Sequence, residues 1–203
     1  GHTPFGHNGE DVLNSVHPGG FHHNLQSLRV VDVLEATSSR RGMNLTAEVR
    51  DGIVNHTGSG RPFPLEGQVV KISDRVAYIN HDIDDALRSG VISMEDIPKT
   101  ALELFGYSHR ERINNMVTDL VKNSDGREEI SQSPQFREEL NKLRTFMFSH
   151  VYKSGRVKRE EDLAKVEVVI SSLYNYFLRD PSRLPDDLRQ VAETHQKYQC
   201  PVQ

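Results

Sequence analysis

Apolar side chains recur at intervals of three and four residues between Leu65 and Ser89, and this regularity restricts the possible folds more than any other feature of the sequence. Residues at such intervals share one face of an α-helix, because the helix completes a turn about every 3.6 residues. The set comprises Leu65, Val69, Ile72, Val76, Ile79, Ile83 and Ala86. The spacing predicts a long helix whose apolar face runs through the middle of a helical bundle.

The remaining apolar residues are also spaced mostly by three and four, which predicts an all-α fold. Asp51-Gly52 and Asp125-Gly126 are turn dipeptides, but neither is bordered by the alternating pattern of a strand. Further helices are predicted over residues 10–17, 21–38, 47–56, 97–105, 110–122, 134–152, 159–178 and 185–198.

Composition narrows the classes of protein to consider. The chain has 203 residues, enough for one domain with a sizeable core, and a formal net charge of -4, which argues against broad nucleic-acid binding. No apolar run approaches the roughly 20 residues of a membrane-spanning helix. The single cysteine, Cys200, excludes an internal disulfide framework and fits a reducing compartment, so we expect a cytoplasmic protein.

The first ten residues concentrate polar groups in a way that suits a site better than a core. They contain two histidines and a carboxylate, with Phe5 as an expected anchor to the core. His7 and Glu10 lie three residues apart, so a helix that begins near His7 would place both on one side. A histidine beside a glutamate is a plausible proton-transfer pair.

Two other positions have both a functional and a structural interpretation. On the helical wheel Asp82 lies between Ile79 and Ala86, so its carboxylate should point inward, which is costly unless it is paired or bound to a cation. A salt bridge to a buried arginine, or a position at the rim of the core with access to water, would also satisfy it. His23 and Asn24 lie at a predicted helix start, where the residues alone suggest that they cap and solvate the helix; a pocket role for His23 is implied only by the resemblance described below.

Three segments together resemble a known family. The opening run GHTPFGHNGE is similar to the second half of the motif H-D-x-G-H-x-P-F-G-H-x-G-E of the deoxyguanosinetriphosphate triphosphohydrolase-like branch of the HD-domain superfamily. Residues 19–29, GGFHHNLQSLR, and 78–86, YINHDIDDA, resemble two further segments of that family. The resemblance implies an HD-domain helical bundle, present in part, with additional C-terminal helices. It places the C-terminal part of the catalytic core in residues 1–95 and a helical extension packed on it in residues 96–203.

The resemblance also implies residue roles. His7 and Glu10 would be the catalytic acid/base pair, His2 and His23 would bind the substrate phosphates, and Asp82 would be a metal ligand. The implied cofactor is Mg²⁺ or Mn²⁺, with Ni²⁺, Zn²⁺ and Fe²⁺ as alternatives. The implied reaction is attack of water on the α-phosphate of a deoxynucleoside triphosphate, which releases the deoxynucleoside and inorganic triphosphate.

The beginning of the family motif, including the His-Asp pair that binds the metal, does not occur in this chain. The family pattern would also continue past Gln203. We therefore expect a fragment whose own metal binding and activity are impaired.

Two other functions compete with this interpretation. One is an HD-type phosphohydrolase that acts on nucleoside monophosphates or cyclic diesters, which the identity of the released phosphate would distinguish. The other is a non-catalytic nucleotide-binding or assembly subunit, for which binding without a response to metal would be diagnostic. The expected partners are a dNTP substrate, a dNTP effector and further copies of the chain, with no membrane and no nucleic acid.

Overall fold

A computed structural model describes residues 1–36, 40–152 and 160–197, with side chains up to residue 193. Cys200 and the predicted helix ends at residues 38, 159 and 198 lie outside the described residues. Within the described ranges the chain forms helices and no strand, which confirms the all-α prediction. The helices are α1 (Gly6–Val16), α2 (His23–Arg29), α3 (Ala47–Asn55), α4 (Leu65–Arg88), α5 (Lys99–Phe105), α6 (His109–Ser124), α7 (Pro134–Met147), α8 (Glu160–Arg179) and α9 (Asp186–Lys197).

Short helical turns of other types complete the described structure. Five-residue π-helical turns extend α2 (Val30–Leu34) and α7 (Phe148–Tyr152), and 3-10 turns precede α5 (Met94–Asp96) and α9 (Pro181–Arg183). No helix in the described ranges is both long enough and apolar enough to cross a bilayer.

The chain divides into two compact units. The first comprises residues 1–54 and 161–203, and the second comprises residues 55–160. These units are parts of the chain whose backbone segments lie close together. The predicted division into residues 1–95 and 96–203 instead follows the domains of the family. That division stays a prediction.

The core of the second unit lies between α4, α5, α6 and α7. Val76, Ile79, Ile83 and Ala86 of α4 are buried, as the apolar spacing predicts. They belong to a cluster whose other fully covered members include Phe105, Met116, Leu140, Leu143 and Met147. Burying several such side chains contributes on the order of 2 kcal/mol each, which makes this cluster the main source of stability in the unit.

The first turns of α4 depart from the prediction. Leu65 and Val69 are 40% and 41% exposed, although the spacing places them on the apolar face. Gly67 and Gln68 are buried there instead. The Gln68 amide donates to Pro62 O at 3.0 Å, and its Oε1 accepts from the Ile130 backbone N–H at 3.1 Å. The helix therefore begins on polar contacts with loops and reaches the apolar core only further along.

Two of the helix starts in this unit follow the local rules of capping. Ser108 accepts a hydrogen bond from the Glu111 backbone N–H, and Glu111 Oε2 accepts from the Ser108 N–H, so the two residues form a capping box. At α7, Ser133 is the cap and Pro134 the first helical residue, as predicted.

In the first unit the predicted helix over residues 21–38 is wrong in extent. The α-helix ends at Arg29, a π-helical turn follows to Leu34, and Leu25, which the apolar spacing of a continuous helix would turn inward, is 52% exposed. The reason lies in the returning chain. Met43 N donates to Val31 O at 2.7 Å, and Gly42 N donates to Glu35 O at 2.7 Å, so carbonyls that a continuing helix would use already have partners.

Candidate functional site

The opening segment forms a tight turn that leads directly into α1. Thr3 Oγ1 donates to Gly6 O at 2.7 Å, and the Gly6 N–H donates to Thr3 O at 3.2 Å. Phe5 and Gly6 both adopt left-handed backbone conformations, with φ of 63° and 55°. Phe5 is 54% exposed, so the expectation that it anchors the segment to a core is wrong. The turn instead starts α1 at Gly6 and thereby fixes the direction in which Glu10 points.

The carboxylate of Glu10 binds His23 at three points. Glu10 Oε1 accepts from the His23 backbone N–H at 2.8 Å. The ring Nδ1 of His23 lies 3.0 Å from Oε1 and 2.9 Å from Oε2. Both side chains are largely buried, with 20% of His23 and 16% of Glu10 exposed. Glu10 therefore caps the start of α2 and orients the His23 imidazole at the same time.

The environment of Glu10 favours its ionised form. Burial alone would raise the pKa of Glu10, but hydrogen bonds from the His23 backbone and ring, together with the charges of His23 and His7, outweigh burial and lower the pKa. A carboxylate that stays ionised can hold the Nδ1–H of an imidazole in place.

The two remaining histidines of the predicted site differ in their contacts. The His2 ring stacks on the His23 ring, with 6.2 Å between centroids and 15° between planes. His7 is exposed on α1 and acts on Glu10 through its charge. The structure thus pairs Glu10 with His23, whereas the sequence analysis paired it with His7. The roles of His2, His7, Glu10 and His23 stay predictions.

Two asparagines hold this region together: Asn14, which the sequence analysis left out, and Asn24, which it placed at a helix start. Asn14 Oδ1 accepts from the Phe21 backbone N–H at 2.8 Å, which ties the turn before α2 back onto α1. Asn24 Nδ2 donates to Val54 O at 2.7 Å and links α2 to α3. The only signal in the sequence was the position of Asn24 directly after the His-His pair.

Asp82 belongs to the second unit, where it is half-buried on α4. The hydroxyl of Tyr152, in the π-helical turn after α7, donates to Asp82 Oδ2. Burial, followed by the hydrogen bond and charge of Asp82, raises the pKa of the Tyr152 phenol well above its usual range. Tyr152 is thus a neutral donor that fixes the orientation of the Asp82 carboxylate.

A salt bridge to a buried arginine would explain an inward Asp82 without a metal. The buried Arg112 binds Asp84 instead. Arg112 is only 2% exposed, and its NH2 group lies 2.6 Å from Asp84 Oδ1. Its Nε donates to Asn80 Oδ1 at 2.9 Å. His109 Nδ1 also lies 2.7 Å from Asp84 Oδ2. The salt-bridge alternative for Asp82 is therefore not realised.

Asp82 is the metal ligand that the family resemblance implies. In residues 1–36, 40–152 and 160–197 no group of three or more His, Cys, Asp or Glu side chains is arranged to hold a metal ion. The Asp82 carboxylate, whose Oδ2 accepts from Tyr152, suits a hard divalent cation as a single ligand. Asp82 as a metal ligand stays a prediction.

Comparison with known proteins gives one match to a family model. The model of the phosphohydrolase-associated domain matches residues 130–200, which include α7 and α8.

Curated proteins match most of the chain. A deoxyguanosinetriphosphate triphosphohydrolase-like protein of Caldanaerobacter subterraneus subsp. tengcongensis is 48% identical over 195 residues, which are 96% of this chain and 56% of the relative. Proteins of the same name from Clostridium tetani and Clostridium perfringens (strain SM101) are 40% and 39% identical and cover 98% and 95% of the chain. The chain spans 59% and 58% of these two relatives. The resemblance inferred from the three sequence segments is confirmed.

Proposed function

The chain is a homologue of the deoxyguanosinetriphosphate triphosphohydrolase-like proteins of the HD-domain superfamily, and we propose that the whole protein hydrolyses deoxynucleoside triphosphates to deoxynucleoside and inorganic triphosphate in a metal-dependent reaction. The observation that carries the proposal is the contact between Glu10 and His23. It joins two of the three family-like segments through a buried, charged hydrogen bond.

The contact defines how His23 can act. Because a carboxylate accepts at Nδ1, that nitrogen carries a hydrogen, and we propose that His23 acts on the substrate through the opposite nitrogen, Nε2. When the ring is neutral, Nε2 accepts a proton; when the ring is protonated, Nε2 donates to a phosphate oxygen or to the leaving group. Such proton transfer typically contributes a factor of about 10² to 10⁴ to the rate.

The other histidines extend the same chemistry. His2 stacks on His23 and would add a second imidazole donor for the phosphates. His7 is exposed one helical turn before Glu10, where its side chain is accessible to a nucleotide or to water. We infer that Glu10 acts in this site mainly by orienting the His23 imidazole.

A bound divalent cation would polarise the attacked phosphate and acidify a water molecule, and Asp82 would supply one of its ligands. Tyr152 would hold the Asp82 carboxylate in one orientation, because its hydroxyl donates to Oδ2.

The proposal includes the setting in which the protein works. Its substrates and effectors are dNTPs, it assembles into homo-oligomers, and it acts in the cytoplasm. The single cysteine and the net charge of -4 are consistent with that setting.

The test compares two neighbouring histidines in the full-length protein. His23→Ala should reduce kcat for release of inorganic triphosphate from dGTP by about 100-fold or more, because the proton-transfer group is lost. His22→Ala is the matched control, since His22 is exposed and makes no side-chain cap bond at α2; its kcat should stay within about threefold of the wild type.

The products decide between the candidate functions. Release of pyrophosphate or monophosphate in place of triphosphate would point to another HD-type phosphohydrolase. A rise in Tm with dNTPs, unchanged by Mn²⁺ and without turnover, would identify a nucleotide-binding subunit and contradict the proposal.

A further inference from the structure

The ammonium group of Lys71 lies in a ring of backbone carbonyls. Lys71 Nζ, on α4, donates to Asn55 O at 3.0 Å, Thr57 O at 3.1 Å, Gly58 O at 2.9 Å and Gly60 O at 2.6 Å. All four acceptors belong to the end of α3 and the loop that follows it. A single side chain thus binds four of six consecutive carbonyl groups.

The loop is shaped to present these oxygens. Gly58 has a φ of 68°, which turns the chain sharply between the acceptors. A Cβ atom at Gly60 would lie 2.3 Å from the Asn55 side-chain Oδ1, so a larger residue there would require the Asn55 side chain to move. The ring of oxygens therefore follows from the loop backbone, and Lys71 enters it from a different helix.

The geometry is that of a monovalent cation site. An ammonium has three N–H groups, so four acceptors at hydrogen-bond distance surround it as a shell around a charge and are not matched one donor to one acceptor. Carbonyl oxygens that replace the hydration shell are the means by which proteins bind potassium. None of the four acceptors is a carboxylate, and divalent cations such as calcium generally take carboxylate ligands.

Of two further effects, the end of α3 favours a positive charge here, whereas burial and the charge of Arg75 oppose it. The last carbonyls of α3 carry the partial negative charge of the helix C-terminus, which attracts cations. Burial lowers the pKa of Lys71, and the neighbouring charge of Arg75 lowers it further, so the ammonium is partly removed from water. The carbonyl ring replaces the water that the charge has lost.

We propose that residues 55–60 form a binding site for a monovalent cation of the size of potassium or ammonium, which the chain fills with its own Lys71 side chain. Lys71 then acts as a tethered cation that fixes the loop to α4. A variant without this side chain should bind free K⁺ or NH₄⁺ in the same ring.

The test uses Lys71→Ala, which removes the charge and opens the space that the side chain occupies. Lys99→Ala is the control, because Lys99 is 83% exposed and makes only a surface ion pair at 3.6 Å. Tm is measured for the full chain in KCl, NH₄Cl, LiCl and choline chloride at equal ionic strength. The wild type and Lys99→Ala should give the same Tm with each cation.

Lys71→Ala should unfold at a Tm at least about 3 °C lower than the wild type in choline chloride and regain most of that difference in KCl or NH₄Cl, but not in LiCl. A Tm equal to that of the wild type in choline chloride would overturn the proposal. A deficit that is the same in all four salts would overturn it as well.

Lys71→Arg tests whether the ring of carbonyls requires a compact ammonium or accepts any positive charge, because a planar guanidinium cannot lie at the centre of four oxygens. We expect faster amide hydrogen exchange over residues 56–60 in Lys71→Arg than in the wild type. Wild-type protection in Lys71→Arg would contradict the proposal, and this measurement decides the matter if Lys71→Ala fails to fold in every salt.

Discussion

The carboxylate of Glu10 lies against the ring Nδ1 of His23, 2.9 Å from one oxygen and 3.0 Å from the other, although thirteen residues separate the two in the chain. Glu10 also accepts from the backbone N–H of the same histidine. One side chain therefore sets the position of the His23 backbone and the orientation of its ring. Any change to Glu10 should affect both the fold of this region and the chemistry of His23.

Glu10→Gln is the most direct test of this contact. The substitution keeps the shape of the side chain but removes the charge, so one amide oxygen must replace two carboxylate oxygens. We expect kcat of the full-length protein to fall by about 100-fold or more, within the range for loss of acid/base assistance. Asp11→Asn, an exposed acid-to-amide change one residue away, should leave kcat within about twofold. Equal losses in the two variants would show that the Glu10–His23 contact is not important for the reaction.

The same carboxylate should make stability depend on pH. The pKa of Glu10 is lower in the folded chain than its ordinary value of 4.5, so between the two values the unfolded chain binds more protons. The free energy of unfolding therefore rises with pH across this window. The stabilisation is fully present above about pH 4.5 and is lost as the pH falls through the folded pKa.

Urea unfolding of the wild type and Glu10→Gln between pH 3 and pH 6 measures this effect, with the range chosen to bracket the ordinary carboxyl pKa. The difference in unfolding free energy between the two should shrink on acidification. Comparing the two proteins cancels the contribution to the pH dependence of other carboxylates whose pKa values are lowered, such as Glu111 and Glu139. A difference that stays constant over this range would mean that the Glu10 carboxylate gains nothing from folding.

The fold was predictable where burial follows a simple period. The apolar spacing on α4 predicts Ile79 and Ile83 in the core, and both are fully buried. It also places Leu65 and Val69 in the core, but both are exposed. The spacing shows which residues share a face of the helix, but it does not show where the neighbouring helices end. The extent of α2 was missed for a related reason, since the hydrogen bond from Met43 to Val31 comes from a returning chain.

The contacts among the candidate site residues could not be predicted from the sequence. Residues three apart on a helix are neighbours by geometry, which suggested His7 as the partner of Glu10. The actual partner, His23, is brought in by the turn between α1 and α2, and the conformation of that turn cannot be calculated from its composition. The hydrogen bond from the Tyr152 hydroxyl to Asp82 joins residues seventy positions apart, and no local sequence pattern predicts it.

The buried Arg112 should contribute measurably to the stability of the second unit. Arg112→Met would leave Asp84 and Asn80 without their guanidinium partner in or beside the core. We expect a loss of about 2–3 kcal/mol in the free energy of unfolding, less than the roughly 3–5 kcal/mol for a fully buried pair because Asp84 is 31% exposed. Arg110→Met, at an exposed position on the same helix, should cost no more than about 0.5 kcal/mol. The midpoint of urea unfolding measures both, and equal midpoints would contradict the assigned role.

Gly9 gives the sharpest test of how the opening segment packs. In a helix interior Ala is usually more stable than Gly by about 1 kcal/mol, so Gly9→Ala would be stabilising if there were room. A Cβ atom at Gly9 would lie only 1.8 Å from Pro4 O, a backbone atom that cannot move without opening the turn before α1. We therefore expect a net loss of about 1–3 kcal/mol and a weaker contact between Glu10 and His23.

Gly6→Ala is the matched control for Gly9→Ala. Gly6 has a φ of 55°, but a Cβ atom there would have no atom within 4 Å, so its cost is the backbone strain of about 1–2 kcal/mol alone. Thermal unfolding together with hydrogen exchange at the His23 amide separates the two, because only Gly9→Ala should loosen the bond from that amide to Glu10. A stabilised Gly9→Ala variant with a protected His23 amide would mean that the opening segment does not pack on α1 as described, and the local geometry on which the proposed site depends would fail with it.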